Sequence, residues 1–288
     1  MSGEICECGQ SKLGNGNCPV HAENDLPLQC VGVWAQDKHD YLSRYIEATW
    51  AARARYLEVT DEHPKPGGAA YIDLFAGPGR ARIRTTGEVI DGSPLIAASH
   101  QRAPFSKLIL CELDQDNVNA LAARMAPYGQ RTKIVQGDCA QTIDAVIREI
   151  PPYGLNFALV DPFAPSAFRW SVFEKLAQLK RMDLLIHFPI GPIKRNFHNN
   201  LDFDNMIGTT EWRKDVRTAH DVPKLVDHFR RSLGKLGYSD ENVRPIPIKN
   251  RKDGQLYQLV FATKDRLGNK IWNSIISIEH TGQRNLFK

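Results

Sequence analysis

The sequence predicts an α/β protein in which helices cover both faces of a mostly parallel β-sheet. Two observations support this fold class: four apolar segments each end near a polar residue, and stretches long enough for helices separate them. The segments span residues 69–75, 106–112, 132–139 and 156–163. Parallel strands are buried on both faces and therefore appear as continuous apolar runs. Their carboxyl ends meet at one edge of the sheet, where open α/β sheets bind ligands.

The first segment, residues 69–75, leads into a turn with two glycines, Gly77 and Gly79. Glycine lets a ligand approach the backbone closely. A dinucleotide fingerprint needs a further Gly or Ala three positions after the second glycine, where this chain has Arg82. NAD is therefore disfavoured. A ligand without phosphates, such as S-adenosylmethionine, needs only main chain that no side chain covers and a nearby acid.

The motif Asp73-x-Phe75-Ala76-Gly77-x-Gly79 resembles motif I of class I methyltransferases. This resemblance implies that S-adenosylmethionine binds at the turn, with Asp73, Phe75, Ala76, Gly77 and Gly79 as cofactor-binding residues.

Acids lie at the ends of the next two segments. Glu112 is placed to accept the ribose hydroxyls of an adenosyl group, because a carboxylate has two acceptor oxygens. Asp138, with Cys139 beside it, is a candidate partner for the adenine amino group. The alternative interpretation is structural, since a carboxylate after a strand often caps the following helix. We expect such a helix to begin after Asp114.

The spacing from Gly79 to Glu112 exceeds the roughly 20 residues common in nucleotide-binding βαβ units. The additional residues fall at 80–92, where we expect an inserted loop or hairpin. A helix is predicted to begin at Ser93, with Pro94 in its first turn.

The fourth segment ends in Asp161-Pro162-Phe163, which resembles the Asp-Pro-Pro-Tyr type motif of amino methyltransferases. The resemblance implies that Asp161 orients an amine for in-line methyl transfer while an aromatic ring stacks on the base. Phe163 stands where the motif has its second proline, which puts the base specificity in doubt. The alternative is an Asp-Pro pair that only caps a helix.

Basic residues flank the predicted site. Three arginines, Arg80, Arg82 and Arg84, follow the glycine turn, and Lys194 and Arg195 follow the next apolar strand. Such cations hold nucleic-acid phosphates, although a solvated loop explains Lys194 and Arg195 equally well. The formal net charge of +4 permits a nucleic-acid partner without requiring one.

His187 lies inside the strand that precedes Lys194 and Arg195. It is interpreted either as a base or as a hydrogen-bonded core histidine.

Four of the six cysteines lie within the first thirty residues. The pattern Cys6-x-Cys8 followed by Cys18-x-x-His21 predicts a structural zinc site with three thiolate ligands and one imidazole. Cys30 is an alternative ligand to His21. The other interpretation is a disordered tail that carries cysteines.

The chain has 288 residues, of which 42% are apolar, and it lacks an apolar run long enough to span a bilayer. The N-terminal residues show no signal-peptide pattern, so we expect a cytoplasmic protein without a membrane partner. Three regions are predicted: a Cys-rich segment at 1–33, the sheet at 34–190, and a C-terminal part at 191–288. The C-terminal part either completes the sheet or forms a winged-helix-like module.

Five blocks together resemble the three-Cys-motif partner family: residues 30–39, 71–84, 92–95, 161–163 and 194–196. The resemblance covers roughly residues 30–280. It implies a Rossmann-like class I methyltransferase sheet and a partner protein that bears its own three-cysteine motif.

These observations predict an S-adenosylmethionine-dependent methyltransferase that acts on an amino group of RNA or DNA. Two other functions stay open at this point. One is a non-catalytic partner protein with the same fold, and the other is a methyltransferase for a peptide or a small molecule.

Overall fold

The computed structural model describes residues 17–58, 67–198, 202–249 and 254–277. The strands are β1 (Asn17–Glu23), β2 (Leu26–Val31), β3 (Ala69–Asp73), β4 (Arg80–Ile83), β5 (Val89–Asp91), β6 (Lys107–Glu112), β7 (Thr132–Gln136), β8 (Leu155–Val160), β9 (Met182–Phe188), β10 (Val243–Lys249) and β11 (Gln255–Ala262). The α-helices are α1 (Ala35–Ala48), α2 (Trp50–Leu57), α3 (Ser93–Ser99), α4 (Gln115–Met125), α5 (Cys139–Glu149), α6 (Trp170–Leu176), α7 (Ile190–Arg195), α8 (Phe203–Ile207), α9 (Lys224–Lys235) and α10 (Arg266–Ile276).

The main sheet has seven strands in the order β10-β11-β9-β8-β3-β6-β7. The neighbouring pairs from β9 to β7 are parallel, whereas β11 runs antiparallel to both β9 and β10. The predicted mostly parallel α/β sheet is therefore confirmed. The two C-terminal strands, β10 and β11, form an antiparallel edge of this sheet.

Alternate residues of the central strand face two separate layers of helices. All five residues of β3 are buried. Ile72 faces a core that includes Phe173 of α6 and Phe229 of α9. Tyr71 faces the other core, which includes Leu42 of α1. Side chains alternate across a strand, so one strand anchors both layers and fixes its own carboxyl end.

Two acids that follow strands cap helices. The Asp114 side chain accepts a hydrogen bond of 3.0 Å from the Asn117 amide at the start of α4. The Asp138 side chain accepts one of 2.8 Å from the Ala140 amide at the start of α5. Each helix is thereby fixed with its N-terminus at the carboxyl edge of the sheet.

The helical region after Ala35 is divided into α1 and α2 at Thr49. The Thr49 hydroxyl donates to the Tyr45 carbonyl at 2.8 Å, and this local bond competes with the helical pattern.

The long spacing after the glycine turn contains the expected hairpin and helix. Strands β4 and β5 pair antiparallel, and α3 begins with Ser93 and Pro94. The hairpin also belongs to a second sheet of four strands, in the order β1-β2-β4-β5. The sequence did not predict β2, because its residues fell in or next to the segment interpreted as Cys-rich.

Within the described residues, no helix is long and apolar enough to cross a membrane.

Candidate functional site

A cavity of about 260 Å³ lies at the carboxyl edge of the main sheet. Seven of the residues predicted for the site line it: Phe75, Gly77, Glu112, Asp138, Cys139, Asp161 and Phe163. They lie at or just after the carboxyl ends of four different strands, β3, β6, β7 and β8. The chain passes from β3 to β6 and β7 on one side and later to β8 and β9 on the other. The cavity therefore sits at a topological switch point, where open α/β sheets bind ligands.

A smaller cleft of about 30 Å³ adjoins this cavity and shares Gln29, Phe75 and Asp161 with it. Two further predicted cofactor residues, Ala76 and Gly79, line the cleft. The glycine turn thus borders both spaces.

The two glycines adopt backbone conformations that favour glycine. The φ angle is +61° at Gly77 and +87° at Gly79, both in the left-handed region. A Cβ atom at Gly77 would lie 3.4 Å from the Gln29 Oε1 atom, on the wall shared by both spaces. The turn therefore exposes main chain to the cavity, as its sequence predicted.

The Glu112 carboxylate faces this turn. Its Oε2 accepts a hydrogen bond of 2.8 Å from the Gly77 amide, while Oε1 accepts from the Asp114 amide at 2.9 Å and from Asn117 Nδ2 at 3.3 Å. A carboxylate offers about four acceptor positions. One position on Oε2 is left for a ribose hydroxyl, and a second hydroxyl would have to displace the Asn117 amide.

A buried amide pair links the N-terminal strand to this carboxylate. Asn17 Nδ2 donates to Asn117 Oδ1 at 2.7 Å, and both side chains are nearly inaccessible to solvent. Asn17 directly precedes Cys18, so a residue inside the predicted zinc segment contacts Asn117 at the wall of the cavity.

Asp138 and Cys139 form the next part of the wall. Asp138 is exposed even though it caps α5, so its carboxylate reaches solvent at the cavity. Burial raises the pKa of the Cys139 thiol to about 12. Cys139 therefore stays neutral and offers an apolar surface.

Leu113 is a wall residue that the sequence interpretation missed. Its side chain is 67% exposed, and Phe163, which also lines the cavity, is 54% exposed. A large apolar side chain turned to solvent beside a cavity is a useful indication of a binding surface. In the sequence, the indication that Leu113 belongs to the site was its position directly after Glu112.

Asp73 lies inside β3 and lines neither space. It is fully buried and accepts hydrogen bonds from the Tyr71 hydroxyl at 2.9 Å and the Phe75 amide at 3.2 Å. Burial raises its pKa to about 6. Its contacts hold the start of the glycine turn. The cofactor contact that the motif implied for Asp73 stays a prediction.

Asp161 has partners on both carboxylate oxygens. Its Oδ2 accepts a hydrogen bond from Lys38 Nζ, and its Oδ1 lies 2.9 Å from His187 Nδ1. Burial disfavours the ionised form, yet the nearby charges of Lys38 and His187 hold the pKa of Asp161 well below its usual range. The neighbouring Pro162 is buried, whereas Phe163 reaches the cavity.

Lys38 and His39 bring α1 into the site. Both line the smaller cleft. Burial, and then the nearby Lys38 charge, lowers the pKa of His39 to about 3, so this imidazole is neutral at physiological pH. The sequence analysis gave Lys38 no role in the site, because no local pattern shows where its helix lies relative to the sheet.

The predicted substrate-binding arginines have internal partners. Arg80 forms ion pairs with Glu23 and with Asp91, the latter at 2.9 Å. Arg84 is only 7% exposed, and its guanidinium lies 5.4 Å from the centre of a Trp34 ring. Arg82 is half-buried.

Lys194 and Arg195 lie in the last turn of α7. The substrate contacts of all five basic residues, Arg80, Arg82, Arg84, Lys194 and Arg195, stay a prediction.

The predicted zinc ligands fall mostly outside the described residues. Cys6 and Cys8 precede them, and Cys18 and His21 belong to β1 but their side chains are not described. Cys30, the alternative ligand, is buried in β2. Among the side chains that are described, no group of three or more His, Cys, Asp or Glu residues is arranged to hold a metal.

No family model matches this sequence, and no curated protein matches it in sequence. Several solved structures resemble the chain at low sequence identity. The methyltransferase domain of bacterial CtHen1 matches at 11% identity and a TM-score of 0.42, over 78% of this chain and 98% of that one. M. jannaschii TYW2 in complex with AdoMet matches at 9% identity and a TM-score of 0.40, over 86% and 85%.

The structure of EvdMO1 matches at 13% identity and a TM-score of 0.40, over 79% of this chain. This chain spans 41% of the length of EvdMO1. Because all three TM-scores are below 0.5, the function has to be inferred from the geometry of the site.

Proposed function

We propose that this protein is an S-adenosylmethionine-dependent methyltransferase. The observation that supports this most is the contact between Gly77 and Glu112. It places exposed main chain beside an oriented carboxylate at the switch point of a parallel sheet. The polar groups around the cavity between the four strand ends suit a nucleoside. The exposed main chain of the glycine turn next to it suits a short polar chain.

The residues of the cavity suit the parts of this cofactor. Glu112 would accept a ribose hydroxyl, and Asp138 would accept the adenine amino group. Leu113, Cys139 and Phe163 offer apolar surfaces to the adenine ring. Gly77 and Gly79 would lie along the methionine part. The bound cofactor supplies a methyl group on a positively charged sulfonium, which an acidic cavity favours.

The acceptor belongs to the proposal as well. The sequence motif at Asp161 and Phe163 suggests an amino group of RNA or DNA, with Arg80, Arg82, Arg84, Lys194 and Arg195 near the nucleic-acid backbone. The resemblance to the three-Cys-motif partner family adds a partner protein with a three-cysteine motif. A zinc-binding N-terminal segment and a cytoplasmic location complete what the sequence predicts.

Calorimetry with S-adenosylmethionine tests cofactor binding, and we expect saturable binding at one site per chain. Radiolabelled methyl transfer into separated RNA, DNA, protein and small-molecule fractions tests the reaction. Failure of the purified chain to bind the cofactor would refute the proposed function. Binding without transfer to any fraction would instead support the non-catalytic partner protein.

A further inference from the structure

Gln29 of β2 brings a side-chain amide to the glycine turn. It lines both the cavity and the smaller cleft. A Cβ atom on Gly77 would lie 3.4 Å from its Oε1 atom and 3.9 Å from its Nε2 atom, so the amide lies beside the exposed main chain of the turn. Within the described part of the chain, this amide makes no hydrogen bond to another residue. Its donors and its acceptor are therefore available to a ligand.

The strand that carries Gln29 fixes the direction of its side chain. Side chains alternate across a strand, and the two neighbours, Leu28 and Cys30, are each only 2% exposed. These neighbours anchor β2 on one face, and Gln29 extends from the other. Strand β2 also pairs in parallel with β4, with Gln29 opposite Ala81. Because β4 begins directly after Gly79, β2 runs beside the chain that leaves the glycine turn.

Two contacts from α4 hold the hairpin of β1 and β2 against the site. Asn17, the cross-strand partner of this glutamine, donates to Asn117 Oδ1 at 2.7 Å. Arg124 uses one guanidinium nitrogen, Nη1, to donate to the Pro27 carbonyl at 2.8 Å and to the Pro78 carbonyl at 2.7 Å. Hydrogen bonds from a charged donor are among the strong ones. One cation thus joins the hairpin to the glycine turn and fixes the place of the amide.

Other polar side chains of the smaller cleft have partners inside the protein. Lys38 donates to Asp161, and two carboxylates hold Arg80 in ion pairs. Ser93 forms a side-chain hydrogen bond with Asp73. The glutamine amide differs from these groups, because binding a ligand would break no internal hydrogen bond of its side chain.

The order of the strands decides which part of an adenosyl ligand would meet Gln29. The sheet contains the run β8-β3-β6-β7, so Glu112 at the end of β6 lies between the glycine turn after β3 and Asp138 after β7. Neighbouring strands are about 4.8 Å apart, which puts the turn roughly 10 Å from the end of β7. With adenine at Asp138 and ribose at Glu112, the amino-acid end of the cofactor points toward the turn and toward Gln29.

Building on the proposed function, we propose that Gln29 binds the amino-acid end of S-adenosylmethionine through its side-chain amide. This end of the cofactor is a zwitterion with an α-carboxylate and an α-ammonium group. The Nε2 group donates to the carboxylate, and Oε1 accepts from the ammonium, because a glutamine amide carries both a donor and an acceptor. The N-terminal hairpin thereby belongs to the cofactor site.

The test uses the purified full chain and two ligands that differ at the end in question. S-adenosylhomocysteine and methylthioadenosine share the adenosine and an uncharged sulfur, but only the first carries the amino-acid end. Calorimetry measures both dissociation constants for the parent, Gln29→Met and Gln29→Ala. Methionine keeps the approximate size of glutamine without its hydrogen bonds, and alanine removes the group altogether. Gln258→Met is the matched control, since Gln258 is also a half-buried glutamine on a strand, β11, but lines neither space.

We expect both Gln29 variants to weaken the binding of S-adenosylhomocysteine by about 10–100-fold, since they lose hydrogen bonds to charged groups. Their affinity for methylthioadenosine should stay within about twofold of the parent's, because that ligand forms no such bond with Gln29. Gln258→Met should bind both ligands as the parent does.

Glu112→Gln gives the contrasting pattern, because Glu112 is assigned to the ribose that both ligands carry. It should weaken both ligands by similar factors. The ratio of the two dissociation constants therefore separates a loss at the amino-acid end from a loss at the nucleoside end. A merely structural effect of a Gln29 variant would weaken both ligands and leave this ratio unchanged.

An unchanged ratio in both Gln29 variants would overturn the role of Gln29 while leaving the methyltransferase proposal in place. Binding of methylthioadenosine by either variant establishes that its fold is intact, and that variant then decides the proposal. Loss of methylthioadenosine binding in both variants would also overturn it, because Gln29 would then support the site as a whole. Absence of binding of both ligands and of S-adenosylmethionine by the parent would refute the proposed function itself.

Discussion

Glu112 accepts a hydrogen bond of 2.8 Å from the backbone amide of Gly77, which joins the end of β6 to the turn after β3. The same carboxylate lines the cavity. One side chain thereby holds the glycine turn open and presents an acceptor to a ligand. The affinity for the cofactor should therefore depend on the charge of Glu112 as well as on the shape of its side chain.

Glu112→Gln should weaken the binding of S-adenosylmethionine by about 10–100-fold. Hydrogen bonds to a charged group contribute about 1.5–3 kcal/mol each, and 1.4 kcal/mol corresponds to a tenfold change in affinity. Calorimetry measures the dissociation constant. Glu149→Gln is the control, because Glu149 pairs with Lys107 and does not line the cavity. Equal affinity of Glu112→Gln and the parent would show that the carboxylate does not hold the cofactor.

Leu113→Ala should weaken cofactor binding by about tenfold with little loss of stability. Burying a Leu side chain contributes roughly 1.5–3 kcal/mol, and a ligand that covers Leu113 would recover part of it. The side chain is 67% exposed in the free protein, so truncation removes few internal contacts. Calorimetry and denaturant unfolding measure the two effects. Leu267→Ala, at a leucine 52% exposed on α10, should leave the affinity unchanged. Unchanged affinity in Leu113→Ala would place the adenosine elsewhere.

The parallel sheet and the strand ends of the site could be predicted because each depends on local sequence. A buried strand such as β3 shows its apolar run directly, and the carboxyl ends of parallel strands meet at one edge whatever the detailed packing. Glu112 and Asp138 were therefore assigned to one site before the structure placed them there. The hairpin at residues 80–92 followed from a spacing too long for a simple crossover.

The partners of Asp161 could not be predicted, because they depend on contacts between distant parts of the chain. Lys38 precedes Asp161 by 123 residues, and no periodic pattern shows that α1 begins beside the end of β8. The sequence analysis considered His187 as a base or a core histidine. Its position beside Asp161 could not be predicted, because it depends on β8 and β9 being neighbours in the sheet. The internal partners of Arg80 and Arg84 likewise depend on the second sheet, which the sequence did not reveal.

Zinc content tests the predicted N-terminal site directly. We expect about one zinc per chain in the protein purified without chelators, because three thiolates and one imidazole form a closed structural site. Cys8→Ala should lower the zinc content to less than half of that value, as measured by elemental analysis. Cys111→Ala is the control, since Cys111 is buried in β6. Equal zinc content in Cys8→Ala and the parent would remove Cys8 from the ligand set.

Asp183 on β9 should make the protein less stable as pH rises. Its carboxylate accepts a hydrogen bond from the Tyr45 hydroxyl. Burial raises its pKa from 3.8 to about 6, although hydrogen bonds from Thr263 and Tyr45 oppose the change. Between these two pH values the folded chain keeps a proton that the unfolded chain has released. The stabilisation is therefore complete below about pH 3.8 and is lost as pH rises through about 6.

Asp183→Asn removes this titration while keeping an oxygen that can accept from Tyr45. Relative to the parent, the free energy of unfolding of the variant should increase by about 1–3 kcal/mol between pH 4 and pH 7, since one pKa unit corresponds to about 1.4 kcal/mol. Denaturant unfolding at several pH values gives this difference. Asp144→Asn is the control: its ion pair with Lys175 lowers the pKa of Asp144, so the difference from the parent should not grow in the same direction. Parallel pH profiles of Asp183→Asn and the parent would mean that Asp183 is already ionised in the folded protein at pH 4, which its burial against Tyr45 argues against.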